Sequence, residues 1–226
     1  MIRSFYIDIP NNKKDNFFVL YIYILQKVFK YLIVPLLVLI TLVLCVHKDL
    51  LKTTNIPNIF ICIFLILLSI TLEETFHASM LIIQGRGNQV KSLRFDSIQF
   101  KKIKICIGVS VYFNGEFTSN DILYISLAGP IMSLLFGLIS FLIISVLIVI
   151  FVHKIQLTYF FILFLGLLMV GMFSLVPFNK FFIKTDGYKV YELIKKYKIT
   201  PKNIVKTISM ILKYCLIFVF RSLKVT

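Results

Sequence analysis

Long apolar runs constrain this chain more than any other feature of its sequence. Four of them are roughly as long as the 20 residues that a helix needs to cross a bilayer: Val28–Val46, Pro57–Gln84, Ile122–Val152 and Leu157–Pro177. Hydrophobic residues make up 59% of the chain and charged residues 15%, against roughly 45–50% and about 25% in soluble domains. A soluble domain could not bury so much apolar surface, so the sequence predicts a multi-pass membrane protein.

Two further apolar segments lie outside these four runs. Phe17–Leu25 precedes the first run, and we expect it to lie at the membrane interface. Ile204–Phe220 is interrupted by Lys206 and Lys213, which is compatible with a fifth span or with an amphipathic surface helix. The first fifteen residues lack the features of a signal peptide. The expected fold is therefore an all-α polytopic membrane protein with four to five transmembrane helices.

The positions of the basic residues predict the orientation of the chain. With four spans and a cytoplasmic N-terminus, 22 Lys and Arg residues fall on the inner side and three, Lys48, Lys52 and Lys154, on the outer side. An excess of cations marks cytoplasmic segments. We therefore expect a location in the cell membrane with residues 85–121 and the C-terminal segment in the cytoplasm. Because the cations flank apolar runs, they favour contact with the lipid bilayer and argue against nucleic acid.

The cytoplasmic segment between the second and third runs has its own pattern. Val90–Phe100 and Ile103–Phe113 contain short alternating apolar and polar residues, and Asn114-Gly115 is a turn signal. This pattern predicts a small β-hairpin or sheet on the cytoplasmic side. The chain then divides into an N-terminal segment with the first helix (1–56), a membrane core (57–192) and a basic C-terminal segment with the possible fifth helix (193–226).

Two acidic residues lie inside a predicted span, where ionisable groups are costly and usually functional. Glu73 and Glu74 are joined there by His77, at i,i+4 and i,i+3 spacing. On a helix the three side chains project into a sector of about 100°. They lie roughly 10 Å from the cytoplasmic end of the span, because each helical residue rises 1.5 Å.

Two carboxylates and an imidazole on one helical face can hold a divalent cation and leave one carboxylate as a base. Metalloproteases with an HExxH motif have ligands at i and i+4 and the base at i+1. In Glu73-Glu74-Thr75-Phe76-His77 the first ligand position holds glutamate, which also binds zinc. The alternative is a buried polar network, in which His77 pairs with a glutamate and a backbone carbonyl.

A third ligand has to come from elsewhere in the chain. Asp186 follows the fourth span on the same predicted side as the glutamate pair, although Asp186-Gly187 alone favours a turn in a solvated loop. At the start of the third span, Gly129, Ser133 and Gly137 form a ridge of small residues that permits close helix approach. Simple helix packing without a role in the site is the expected function of that ridge.

In their order and spacing these motifs resemble the site-2 protease family of intramembrane zinc metalloproteases. The HExxH-like Glu73–His77 segment comes first, followed by the β-region, Ala128-Gly129-Pro130, Ser174-Leu175-Val176-Pro177 and Asp186-Gly187. The resemblance covers about residues 57–192. The segments Pro177-Phe178 and Lys184-Thr185-Asp186-Gly187-Tyr188 look like those of the small members without a PDZ domain, some of which accompany peptide or bacteriocin maturation.

The resemblance implies that Glu73, His77 and Asp186 bind one zinc ion and that Glu74 is the catalytic base of a metalloendopeptidase. The substrate would be a membrane-embedded or membrane-proximal peptide, which the β-region could bind as an added strand. The oxygen-rich ligand set is also suited to a harder divalent metal such as manganese or iron. Nothing in the sequence indicates the oligomeric state.

The chain differs from the family pattern at three positions. Glu73 stands where the family has histidine, and Ser133 and Ser174 stand where it has asparagine. These differences leave open a catalytically inactive relative that binds a peptide or a partner. A small transporter or channel subunit that uses the buried acids is a further alternative. A glutamate-based prenyl-type protease is disfavoured, because Ala78 stands where that motif has arginine.

Overall fold

A computed structural model describes residues 2–46, 56–100, 103–150, 158–180 and 183–224. Within these ranges the helices are α1 Phe17–Val46, α2 Ile56–Ile83, α3 Ser119–Ile150, α4 Thr158–Leu175, α5 Asp186–Tyr197 and α6 Pro201–Leu223. The strands are β1 Ile2–Asp8, β2 Val90–Phe100, β3 Ile103–Phe113, β4 Asn179–Lys180 and β5 Ile183–Lys184. The predicted outer cations Lys48, Lys52 and Lys154 lie outside the described residues.

Three of the described helical segments are long and apolar enough to cross a membrane. They are Ile63–Ile83 of α2, Ser119–Ile143 of α3 and Pro201–Leu223 of α6, and α4 contributes the shorter apolar segment Phe164–Leu175. These helices are compatible with the membrane protein that the sequence predicts. The span count of four to five and the cytoplasmic N-terminus stay predictions.

The segment Phe17–Leu25, which we expected to lie at the membrane interface, forms the first turns of α1. Leu20, Ile24 and Val28 are fully buried at four-residue spacing and form one continuous stripe along the helix. Because this stripe packs against the core from the first turn of α1 onwards, the helix continues through residue 25 without a break.

The predicted hairpin is part of a three-stranded antiparallel sheet. Strands β2 and β3 have the predicted bounds, and β1 adds to the free side of β2, so the order is β1-β2-β3 and β3 is an edge strand. Phe5 of β1 pairs with Phe95 of β2, and their rings stack with centroids 5.2 Å apart. The sequence pattern did not predict β1, because its partner strand lies far along the chain.

Helix α2 is central, since it contacts α1, α3, α4, α6 and the β-hairpin. One buried apolar cluster joins α1, α2 and the sheet, and a second joins α2, α3, α5 and α6. The buried hydroxyls of Thr71, Thr75 and Ser79 donate to the carbonyls four residues earlier at 2.7 Å. These hydroxyls are satisfied within the helix, whereas Glu73 and His77, buried beside them, need partners from other elements.

Candidate metal centre

Two helices that are distant in sequence meet at the ionisable residues of α2. The Asp186 carboxylate at the start of α5 lies beside Glu73 and His77, and one ligand atom from each of the three residues lies within 4.8 Å of the other two. His77 Nε2 and Asp186 Oδ2 are 3.2 Å apart. The structure therefore brings together the three residues that the sequence analysis selected as metal ligands, in a group that could hold an ion.

The His77 ring is oriented by helix α3. Its Nδ1–H donates to the backbone carbonyl of Ile125 at 2.6 Å, which leaves Nε2 as the nitrogen that faces Asp186. A hydrogen bond of this kind fixes the tautomer and direction of a metal-binding histidine. A Cβ atom at Gly129 would lie only 2.3 Å from Nε2. The close helix approach predicted for Gly129 is present, and the imidazole occupies the space that a side chain at Gly129 would need.

Asp186 is placed by the junction between α4 and α5. The Thr185 hydroxyl caps α5 by accepting from Tyr188 N, and it also accepts from Phe178 N at 3.0 Å and donates to Val176 O at 2.6 Å. A Cβ at Gly187 would overlap the carbonyl oxygen of Leu175 at 1.9 Å. Asp186-Gly187 is therefore the tightly packed first turn of a helix and not a turn in a solvated loop.

Asp186 has a polar partner at each carboxylate oxygen. Oδ2 faces His77, and Lys189 Nζ donates to Oδ1 at 2.7 Å. Burial alone would raise the pKa of Asp186, but His77 and Lys189 lower it to about 2. The carboxylate is thus ionised at neutral pH, as a metal ligand must be.

The chemistry of these donors fits a divalent cation. Glu73 is 5% exposed, and its Oε1 is buried without a hydrogen-bond partner among the described residues, while Ser174 hydrogen-bonds to the same carboxylate. A buried carboxylate oxygen without a partner is costly. A cation bound by Glu73, His77 and Asp186 would satisfy it. One imidazole nitrogen and two carboxylates are suited to zinc and, being rich in oxygen, also to harder divalent metals.

Glu74 connects this group to the edge of the sheet. Its Oε2 accepts a hydrogen bond from the backbone N–H of Val111, on edge strand β3, at 2.8 Å. A cavity of about 320 Å³ follows the same strand and is also lined by Ile125 and Lys189. The candidate base is therefore hydrogen-bonded to the strand that lines this cavity.

Sequence reasoning missed three parts of this site: the Ile125 carbonyl, the Val111 amide and Lys189. The first two are backbone groups, which every residue carries and which no sequence pattern marks. Lys189 had a usable signal, because it lies at i,i+3 from Asp186 on the predicted side of the site.

No known protein-family model matches the chain, and neither curated proteins nor solved structures give a match. The resemblance to the site-2 protease family therefore stays a prediction, which rests on the motifs and on this geometry.

Proposed function

We propose that this protein is an intramembrane metalloendopeptidase of the site-2-protease type, embedded in the cell membrane with its N-terminus in the cytoplasm. The observation that supports this proposal best is the convergence of Glu73, His77 and Asp186 within 4.8 Å. The ligand pair lies inside an apolar helix and the third ligand comes from a separate helix, as the motif order of that family implies.

In this proposal Glu73, His77 and Asp186 hold one divalent ion, with zinc the first candidate. When bound, such an ion lowers the pKa of a water molecule and polarises a peptide carbonyl. Two carboxylates offset the charge of a divalent ion completely, whereas two histidines and one aspartate would leave one positive charge. Lys189, paired with Asp186 at 2.7 Å, returns one positive charge to the edge of the centre.

Glu74 is the residue that moves the proton. Its Oε2 is held by the Val111 amide, so the carboxylate has a defined direction, and its other oxygen is left to take a proton from water. The same group can deliver that proton to the leaving amine when the peptide bond breaks. A neighbouring metal ion and a desolvated position would tune this carboxylate for general base catalysis.

The β3 edge supports a peptide as the substrate. An edge strand presents unpaired backbone groups to a second chain, and β3 runs beside Glu74 and the 320 Å³ cavity. A membrane-proximal peptide that adds to this edge as a strand would lie extended next to the centre. An extended backbone is needed because a helix hides its amides within its own hydrogen bonds.

Two measurements on the detergent-purified protein test the proposal. Elemental analysis should give about one metal ion per chain in the wild type and in Glu74→Gln, and none in His77→Ala or Asp186→Ala. Cleavage of synthetic transmembrane peptides with a fluorophore and a quencher should occur in the wild type and be lost in Glu74→Gln. Glu116→Gln, a change at an exposed acid between β3 and α3, is the matched control and should keep both properties. Cleavage that persists in Glu74→Gln would exclude this mechanism.

A catalytically inactive relative that binds a membrane peptide is the second candidate. It is favoured by the glutamate at position 73, which would leave a metal-bound water less acidic. It is also favoured by the hydrogen bond from the Val111 amide, which already engages one oxygen of Glu74. A folded wild-type protein that binds one metal ion and a transmembrane peptide, yet cleaves none of the peptides tested, would support this candidate.

A further inference from the structure

A second, larger groove lies along helix α5. Its volume is about 820 Å³, and its lining includes four lysines, three tyrosines and a single acid, Glu192. Ile122 and Lys189 line this groove and also the cavity beside β3. The two depressions therefore share a wall at Lys189, the residue that pairs with the candidate ligand Asp186.

The lysines of this groove are not neutralised equally. Lys184 pairs with Glu192 at 2.5 Å, and Lys189 pairs with Asp186. In the described part of the chain, no acidic side chain forms an ion pair with Lys195 or Lys196. The groove therefore has two cations without an acidic partner, one of which, Lys196, lies over the Tyr197 ring at 5.2 Å from its centroid. This charge points to an occupant with negative charge.

Aromatic side chains make the groove better suited to a peptide than to a small anion. The rings of Tyr188 and Tyr191 lie 6.3 Å apart and line the wall together. Tyrosine offers an apolar face and a hydroxyl that donates to carboxylates and backbone carbonyls. The volume of about 820 Å³ also exceeds what a single phosphate needs, since ligand sites of roughly 300–1,000 Å³ enclose drug-sized molecules.

We propose that the α5 groove binds an acidic segment that flanks the membrane-embedded part of a peptide substrate. This inference rests on the proposed function and adds the substrate class to it. From Asp186 to Lys195 the α5 axis advances roughly 14 Å, at 1.5 Å per residue. An extended peptide covers that distance in about four residues at 3.3 Å each. The preferred substrate therefore carries Asp or Glu about four residues from the bond that lies at the centre.

Binding of synthetic peptides to the full-length protein in detergent tests this inference. Three fluorescent peptides share one apolar membrane segment and differ in a flank of Glu, Gln or Lys residues, and fluorescence anisotropy measures their affinity for Glu74→Gln protein. We expect the Glu flank to bind about tenfold more tightly than the Lys flank. The double change Lys195→Glu and Lys196→Glu should remove or reverse that preference. Lys202→Glu with Lys206→Glu, at exposed positions on α6 outside the groove, is the matched control and should preserve it.

Each result separates this inference from the proposed function. Equal affinity for all three flanks, or a preference that survives the Lys195 and Lys196 changes, would overturn the inference. Binding to anionic phosphatidylglycerol vesicles gives a further outcome that would overturn the inference. If these vesicles bind the wild type through Lys195 and Lys196 while the peptides show no preference, the groove recognises lipid. Flank-dependent binding by a wild type that never cleaves would support the groove and refute the protease. Cleavage that does not depend on flank charge would support the protease and refute the proposed role of the groove.

Discussion

At the residue scale, the candidate centre depends on how closely His77 is held. The imidazole has a backbone carbonyl on Nδ1, a carboxylate near Nε2 and the bare backbone of Gly129 against its face. Each contact comes from a helix other than the one that carries His77. A ring constrained on three sides has little freedom to rotate away from the orientation that a metal ligand needs. Small changes around it should therefore change the metal affinity.

Gly129→Ala should weaken metal binding by about tenfold or more, in line with the effect of supporting residues at metal sites. The new Cβ would lie 2.3 Å from His77 Nε2, so the ring must shift from the position in which Nε2 faces Asp186. Chelator competition on the purified protein measures the change. In Gly137→Ala, on the same helix, the nearest neighbours of the new Cβ are the side chains of Leu168 at 3.3 Å and Leu167 at 3.4 Å, so this variant should bind metal almost normally. Equal affinities in the two variants would contradict the role assigned to Gly129.

At the element scale, the connection between α4 and α5 determines where the third ligand lies. Thr185 is buried and bonds to the end of α4, to the β4 region and to the first turn of α5. Gly187 lets α5 approach Leu175 closely. The start of α5 is thus tied to the neighbouring helix by hydrogen bonds and close packing, and Asp186 is carried into contact with His77 as a result.

Thr185→Val should destabilise this junction by roughly 1–3 kcal/mol, since it removes a helix cap and leaves the Phe178 N–H unpaired. We also expect metal affinity to fall by about tenfold or more, because Asp186 follows directly and loses its support. Thermal unfolding and chelator competition measure the two effects. Thr200→Val removes the corresponding cap of α6 and should lower stability slightly without changing metal affinity. If both variants lose metal equally, the junction has no specific role.

At the scale of the whole molecule, the sheet ties the N-terminus to the hairpin that follows α2. Strand β1 pairs with β2 over the whole of Ile2–Asp8. The two segments must therefore lie on the same side of a membrane, whichever side that is. The basic residues in and near both segments predict the cytoplasmic side.

Cysteines introduced at Ser4 and at Asn114, both exposed, should react with a membrane-impermeant maleimide from the same side. We expect that side to be the cytoplasm, so labelling should require inside-out vesicles or permeabilised cells. The wild type gives the background, and its described cysteines Cys106 and Cys215 are buried. Labelling of the two positions from opposite sides would contradict the pairing of β1 with β2. Labelling of both from the outside would contradict the orientation predicted from charge.

The sequence by itself determined the features that depend on local pattern. Apolar length predicts α2 and α3 almost to their ends, alternation predicts the bounds of β2 and β3, and helical spacing puts Glu73 and His77 on one face. These features follow from residues that are neighbours in the chain, because helical and strand periodicity are set by backbone geometry. The motif order also singled out Asp186, although its own segment favoured a solvated turn.

Only the tertiary structure decided how these elements contact one another. The addition of β1 to the sheet, the continuity of α1, the contact of Gly129 with His77 and the hydrogen bond from Val111 to Glu74 all join segments through packing. Several of these contacts use backbone amides and carbonyls, which are alike at nearly every residue and leave no signal in a sequence. The position of Asp186 beside His77 belongs to the same class, because it depends on how closely α5 can pack against the end of α4.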